Sequence, residues 1–356
     1  MKNQLRAKFN LNIIREFKLP VGCIISLIII AFSVCAGTKD IRFSDTFVIF
    51  LHNILPSSWT KNIYANIEAA NAVIVWQLRF PRVLLAYLTG GALAVSGSVF
   101  QSSLKNQLAS PYMLGVSAGA SLGAALVILF GLTIPLFGTW MLPFSGFAAG
   151  LLTVFAVTLF SAKIDKSFSN NTVILCGMVF SLFVNAVITV MMSLRSQELR
   201  TLIVWQMGSF AFKGWSHVQM MLVFLLAGLA GLSRFTRELD LLSFGELEAA
   251  SAGVDTGRVK TYLFLFSTVL AGSSVALCGI VGFVDLVGPH IARRISGSVH
   301  SRLLPMSFVA GGSLMVLSDL IARTAISPAE LPVGAVTALA GAPFFAYIYF
   351  KPSRRK

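Results

Sequence analysis

NQLASPYMLGVSAGASLGAALVILFGLTIPLFGTWMLPFSGFAAGLLTVFAVTLFSA, residues 106–162, runs for 57 residues without one charged side chain. A single helix of that length would rise roughly 85 Å at ~1.5 Å per residue, against the ~30 Å hydrocarbon core of a bilayer. The stretch therefore has to cross a membrane, turn and cross back, with Gly131, Pro135, Gly138 and Pro143 supplying the turn. It predicts an all-α polytopic membrane protein, and the rest of the chain repeats the signal.

Of the 356 residues, 56% are hydrophobic and 12% charged, and the mean hydropathy is +0.81. A soluble domain would carry about twice that charge. The net charge of +14 does not point to nucleic acid, because the basic residues sit in the gaps between apolar runs. Cys23, Cys35, Cys176 and Cys278 are dispersed in or beside those runs and form no Cys-x-x-Cys pair, so they read as apolar filler rather than metal ligands.

Nine long apolar runs stand out: 21–37, 83–104, 112–131, 141–162, 171–194, 214–233, 261–280, 303–322 and 332–350. The first follows Lys2, Arg6, Lys8, Arg15 and Lys18 and resembles a signal peptide; with so many later spans it is expected to stay as an uncleaved helix. From Thr261 to Ala292 only Asp285 is charged. That length is too great for one span and short for two. It predicts a helix, a tight connection near Gly279–Gly282, and a short helix through Pro289.

Both termini are strongly basic, so both belong in the cytoplasm, and the number of crossings has to be even. Ten fits where nine does not. With ten, 19 of the 28 Lys and Arg residues fall inside and 9 outside. The whole chain, 1–356, then forms one transmembrane domain, with a cytoplasmic segment at 1–20, an external loop at 38–78 and a long interior loop at 234–257.

That interior loop reads RELDLLSFGELEAASAGVD (237–255). Leu239, Leu242 and Leu247 are apolar, Glu238, Asp240, Glu246 and Glu248 acidic, and Gly245 and Gly253 divide it into two short helical pieces. A connector needs only a few residues. A long amphipathic one with an acidic polar face suits docking to a cytosolic protein better than lying on anionic lipid.

LRFPR (78–82) opens the second run, with Pro81 fitted to the first turn of a helix and Arg79 and Arg82 three apart on one face. These arginines are either interfacial anchors or a positive face for a partner's carboxylates. Asp319 and Arg323, four apart, can pair on one helix face, and Glu330 is placed to cap the last span. GVSAG (115–119) has the Gly-x-Ser-x-Gly pattern of a hydrolase elbow, but the strand–turn–helix setting is missing and no His stands out as a partner for Ser117. Gly115, Gly119 and Gly123 recur every fourth residue, as on a close-packed membrane helix face. The chain contains no Gly-Lys pair, hence no P-loop. Any ATP is bound by another chain.

Together these segments resemble the transmembrane permease of type II ABC importers, the FecCD/BtuC type that serves iron-siderophore, haem and vitamin B12 uptake. The resemblance runs from about Arg79 to Phe350. It is carried by LRFPR (78–82), GGALAVSGSVFQSSLKNQLASPYMLGVSAGA (90–120), LDLLSFGELEAASAGV (239–254), GFVDLVGPHIARR (282–294) and PAELPVGAVTALAGAPFF (328–345).

The resemblance implies ten transmembrane helices with an inverted repeat, helices two to five against seven to ten, in the inner membrane of a prokaryote. It implies a homodimer with the pathway on its axis, two cytosolic ATPase subunits holding ATP and Mg, and an external substrate-binding protein. The chain itself would be no enzyme and hold no cofactor or metal. Glu238, Leu239, Asp240, Leu242, Gly245, Glu246, Ala249 and Gly253 correspond to the ATPase coupling helices. Arg79, Arg82 and Arg323 match arginines that meet the binding protein. Asn106, Gln107 and Leu108 match one cytoplasmic gate, and the segment from Ser167, with Ser169, Asn170 and Asn171, the second.

Gln107 departs from the family's usual Pro, which restores a backbone donor and loosens φ. Asp285 departs from the usual Gly and is expected either to touch the pathway or to pair locally. Met178, Ser181, Asn185, Thr189 and Met192 on the fifth span are expected to line the pathway. The expected cargo is an iron chelate, above all a ferric siderophore, with haem or vitamin B12 as the alternative. The reading from another class is an ion-coupled secondary transporter, for which Asp285 and Asp319 are the candidate acids.

Overall fold

The computed structural model describes residues 2–37, 39, 41–55, 64, 67–132, 134, 137–165 and 168–350, leaving aside the side chains of 2–16, 139 and 348–350. The helices are α1 (Lys2–Cys35), α2 (Phe43–Ile54), α3 (Ala69–Ser103), α4 (Val116–Phe130), α5 (Met141–Ile164), α6 (Asn170–Leu194) and α7 (Leu199–Gln206). They continue with α8 (Trp215–Ser233), α9 (Thr236–Phe244), α10 (Glu246–Ser251), α11 (Thr256–Cys278), α12 (Val284–Ser296), α13 (His300–Thr324) and α14 (Val333–Phe350). Among the described residues there is no strand. Among the described residues seven helices are long and apolar enough to cross a membrane: α1, α3, α5, α6, α8, α11 and α13. α4 and α14 are shorter and apolar.

α3 is the most enclosed of these, packed by α13, α11 and α12. Its middle is small: Gly90, Gly91, Ala92, Ala94, Ser96, Gly97 and Ser98 are all buried. Between helices in lipid the hydrophobic effect offers little, and close backbone approach supplies dispersion instead. A Cβ on Gly90 would stand 2.4 Å from the Gly311 carbonyl oxygen of α13, and one on Gly97 would stand 1.8 Å from that of Asp285 on α12. Only hydrogen fits at either place.

α3 starts earlier than the sequence suggested, at Ala69 rather than near Pro81, because a π-helical stretch at Ile74–Arg79 precedes the proline. Pro81 has no N–H and its ring crowds the preceding turn, and the wider turn relieves that crowding without ending the helix. Part of the expected 38–78 loop is therefore helical, as α2 and the start of α3. Trp76 on that wide turn and Phe80 just after it pack with Phe50 of α2 and Trp215 of α8 at ring-centroid distances of 4.5–5.9 Å.

The short helix after Gly279 is present. α11 stops at Cys278, Gly279 takes φ +79°, and α12 runs 13 residues before Gly297. Gly119 of GVSAG and Gly123 beyond it are packing residues: a Cβ on Gly119 would meet Thr153 Oγ1 at 2.3 Å and one on Gly123 the Ser145 carbonyl at 2.2 Å, both on α5. Ser117 sits in the first turn of α4, which follows a 3-10 turn and not a strand.

Candidate functional site

Polar side chains gather at the two ends of α3. Arg82 and Ser102 are separated by about 30 Å along the helix axis at ~1.5 Å per residue.

At the Arg82 end, three arginines and two carboxylates form one cluster. Arg82 grips Asp319 through Nε and Nη2, at 2.8–3.1 Å, and Glu330 through Nη1 and Nη2 at 2.8 and 3.0 Å. Arg323 Nε lies 3.8 Å from Asp319, so this one carboxylate, 1% exposed, serves two guanidinium groups. A buried anion so placed is held by charge-assisted bonds from a planar fork. Arg79 donates to the carbonyls of Val34 (3.2 Å), Cys35 (2.6 Å) and Lys39 (2.5 Å), while Arg323 donates to the carbonyl of Ser33 and to its Oγ at 2.7 Å. Both thus satisfy carbonyls that the C-terminal end of α1 leaves open. Glu330 is an ion-pair partner and lies ahead of α14, which starts at Val333; it does not cap that helix.

A cleft of about 690 Å³ opens beside this cluster, lined by all three arginines, Glu330, Lys39, Lys213 and the 207–212 segment. At its rim Phe212 is wholly exposed with φ +58°.

At the other end, the 234–257 loop folds as an elbow. α9 and α10 meet at Gly245, whose φ of +154° is a conformation that residues with a Cβ rarely adopt. Leu239, Leu242 and Ala249 are buried and hold the elbow to the bundle, and Gly253, at φ +86°, ends it. Phe244 and Leu247 point outward, 70% and 85% exposed. Of the acids, Asp240 bonds to His300 and Glu246 to Lys260, at 2.6 Å each, while Glu238 is half-buried.

Against the elbow lies the turn after α3. Asn106 Oδ1 accepts from the Leu108 N–H at 2.9 Å, while Gln107 and Leu108 are exposed. The start of α6 abuts it: Asn170 Nδ2 donates to the Leu104 carbonyl at 3.1 Å, Ser169 Oγ donates to Asp165 at 2.6 Å, and Asn171 faces outward. Ser167 lies outside the described residues. The start of α6 thus touches the end of α3 at Leu104, next to residues 106–108.

α6 buries Val173, Gly177, Val184, Ile188 and Met191. Met178, Asn185 and Thr189 lie on its open side, whereas Ser181 turns back to the Gly177 carbonyl and Met192 is packed against α4 and α7 neighbours. Asp285 pairs locally: it accepts from Ser110 Oγ and is 1% exposed.

Sequence reading missed Lys260, His300, Lys105, Phe244 and Phe212. Lys260 looked like an ordinary lysine before an apolar run, and its partners Asn170 and Phe168 are about 90 residues away. Phe244 carried a signal, being a large aromatic residue beside the glycine that divides an amphipathic loop.

A family model described as the FecCD transport family matches residues 23–351. The chain belongs to the FecCD transport family. It is 39% identical to an uncharacterized ABC transporter permease protein of Bacillus subtilis, YvrB, over 91% of each chain. It is 37% identical to the vitamin B12 import system permease protein BtuC of Pectobacterium atrosepticum, over 84% of this chain and 86% of that one. A solved inward-facing structure, described as of a metal-chelate type ABC transporter, superposes with a TM-score of 0.78 at 28% identity, covering 94% of this chain and 98% of that one. This FecCD protein is accordingly a multi-pass ABC importer permease of the bacterial inner membrane.

Proposed function

We propose that the chain is the permease subunit of an ATP-driven importer that moves a metal chelate, above all a ferric siderophore, across the inner membrane by alternating access. Ten crossings, the seven long spans with α4, α12 and α14, put both termini and the α9–α10 elbow in the cytoplasm and the Arg82 cluster outside. Two copies form the pathway between them, with the open side of α6 towards it. Two cytosolic ATPase subunits, which hold the ATP and Mg, seat the elbow, and an external binding protein meets the Arg79, Arg82 and Arg323 cluster.

The observation that carries this reading is the elbow: two short helices jointed at Gly245 with Phe244 and Leu247 exposed, on a chain whose family model spans residues 23–351. Exposed large apolar side chains on a polar loop fit a groove in a soluble partner. ATP closes the ATPase pair, the elbow carries that movement into the spans, and the residues 106–108 and 169–171 open or close the inner end. The resemblance to a metal-chelate type transporter favours a bulky, multidentate cargo, and vitamin B12 or haem is the alternative within that class.

The test is reconstitution in liposomes with the cognate ATPase and binding protein. Uptake of radioiron-labelled siderophore should need all three components and ATP. Full activity of this chain alone, driven by an ion gradient, would sink the reading in favour of a secondary carrier. A binding-protein screen over iron chelates, haem and cobalamin fixes the cargo.

A further inference from the structure

Lys260, in the second turn of α11, is 1% exposed. A lysine this close to the end of a membrane helix ordinarily snorkels to water. This one turns inward, and its ammonium meets three acceptors: Glu246 Oε1 on α10 at 2.6 Å, Asn170 Oδ1 on α6 at 2.8 Å and the Phe168 carbonyl at 3.3 Å. An ammonium has three donors, and all are used. Phe168 takes φ +51°, an uncommon conformation for a non-glycine residue, in the segment that aims its carbonyl at the lysine. The amide of Asn170 continues the chain to the Leu104 carbonyl, and Lys105 Nζ returns from that turn to the Phe244 carbonyl at the end of α9, at 2.5 Å.

We infer that Lys260 is the connector through which displacement of the elbow reaches both inner segments, 104–108 and 168–171. The inference rests on the importer reading above and names the residue that does the coupling. Its physical basis is the cost of an unpaired buried charge. If α10 moved without α6, the ammonium would lose its ion-pair partner and keep two neutral acceptors in an enclosed site, with Asp165 acting on it at longer range. The three elements therefore move as one. α9 has further ties: Asp240 accepts from the His300 N–H at 2.9 Å and contacts its Nδ1, and His300 Nε2 meets Ser102 Oγ at 2.7 Å. α9 is thus fixed to α3 and α13 and meets the 104–108 segment through Lys105, whereas α10 meets the 168–171 segment through Lys260 and, by way of Asn170, the Leu104 carbonyl.

The experiment uses the full complex in proteoliposomes and reads cargo transported per ATP hydrolysed. Lys260→Met should lower that ratio about tenfold, within the usual range of coupling between sites. Asn170→Ala removes the link to Leu104 but keeps the ion pair. Being half-buried, it serves as the second variant should Lys260→Met fail to assemble, and it should lower the ratio in the same direction. Spin labels at positions 107 and 247 of one chain should keep their separation on ATP binding in the wild type and lose it in either variant. A wild-type ratio and an unchanged label separation in Asn170→Ala would overturn the inference. Absence of ATP-dependent uptake by the wild-type complex would remove the importer reading itself, and that is seen before any variant is made.

Discussion

Arg82 and Asp319 are 237 residues apart in sequence and form a double-pronged ion pair, Nη2 to Oδ1 at 2.8 Å, that pins α3 to α13. Asp319 is 1% exposed and Arg82 13%. Replacing Asp319 with Asn would leave Arg82 and Arg323 enclosed with too little negative charge, a loss of about 3–5 kcal/mol. Glu330, 38% exposed, contributes much less, so Glu330→Gln should cost under about 1 kcal/mol. Thermal unfolding in detergent should show a large fall in Tm for the first variant and a small one for the second.

Glycine marks where backbones touch. Gly97→Ala would drive a Cβ to 1.8 Å from the Asp285 carbonyl oxygen, between two helices that cannot both yield. Overpacking of that kind costs about 1–3 kcal/mol, and a contact this short belongs at the upper end. Gly146→Ala, whose nearest neighbour would be 3.4 Å away, should be near neutral. Yield of monodisperse protein on size exclusion separates the two.

These cases show what the sequence could and could not convey. The helix break after Cys278 and the two-piece interior loop were legible, because glycines interrupt patterns on either side of them. The start of α3 was not. Pro81 carries the signature of a helix start, and only the π-helical stretch before it shows that the helix passes through. The arginines of LRFPR were visible as a pair, but their partners at Val34, Cys35, Asp319 and Glu330 lie far along the chain, beyond any local spacing rule. Asp285 was left between pathway and local pairing; Ser110, 175 residues away, decides for the latter.

That position supplies a test against ion coupling. Asp285 is enclosed between Ser110 and the backbone side of Gly97, away from any described cleft. A proton- or sodium-carrying acid has to exchange with water during each cycle. Asp285→Asn keeps the size and the Ser110 contact, so uptake in vesicles should stay within about twofold of wild type, the margin of an ordinary neutral substitution. Loss of uptake together with loss of a gradient requirement would favour the carrier.

Ser117 allows a similarly direct check on hydrolase chemistry. It lies in the first turn of α4, a helix set against α5 through Gly119 and Gly123. Ser117→Ala removes one oxygen without adding volume. Transport should be unchanged, whereas a nucleophile would lose all activity.

The face that carries the Arg82 cluster can be probed without disturbing the fold. Arg79 and Arg323 hold the end of α1, so charge reversal there would damage α1 before it reported on a partner. Phe212 touches little: it is wholly exposed at the rim of the cleft beside Arg82. A large aromatic ring in that position fits the anchor of a protein interface, where truncation typically costs about 2 kcal/mol or more. Phe212→Ala should therefore weaken association with the binding protein by roughly thirtyfold, at 1.4 kcal/mol per tenfold, with Tm unchanged. Glu330→Gln should act in the opposite sense, because an incoming carboxylate then finds the outer prong of Arg82 free of a competing anion. Surface plasmon resonance with the binding protein measures both, and equal affinities for wild type and the two variants would place the partner's contact away from this cleft.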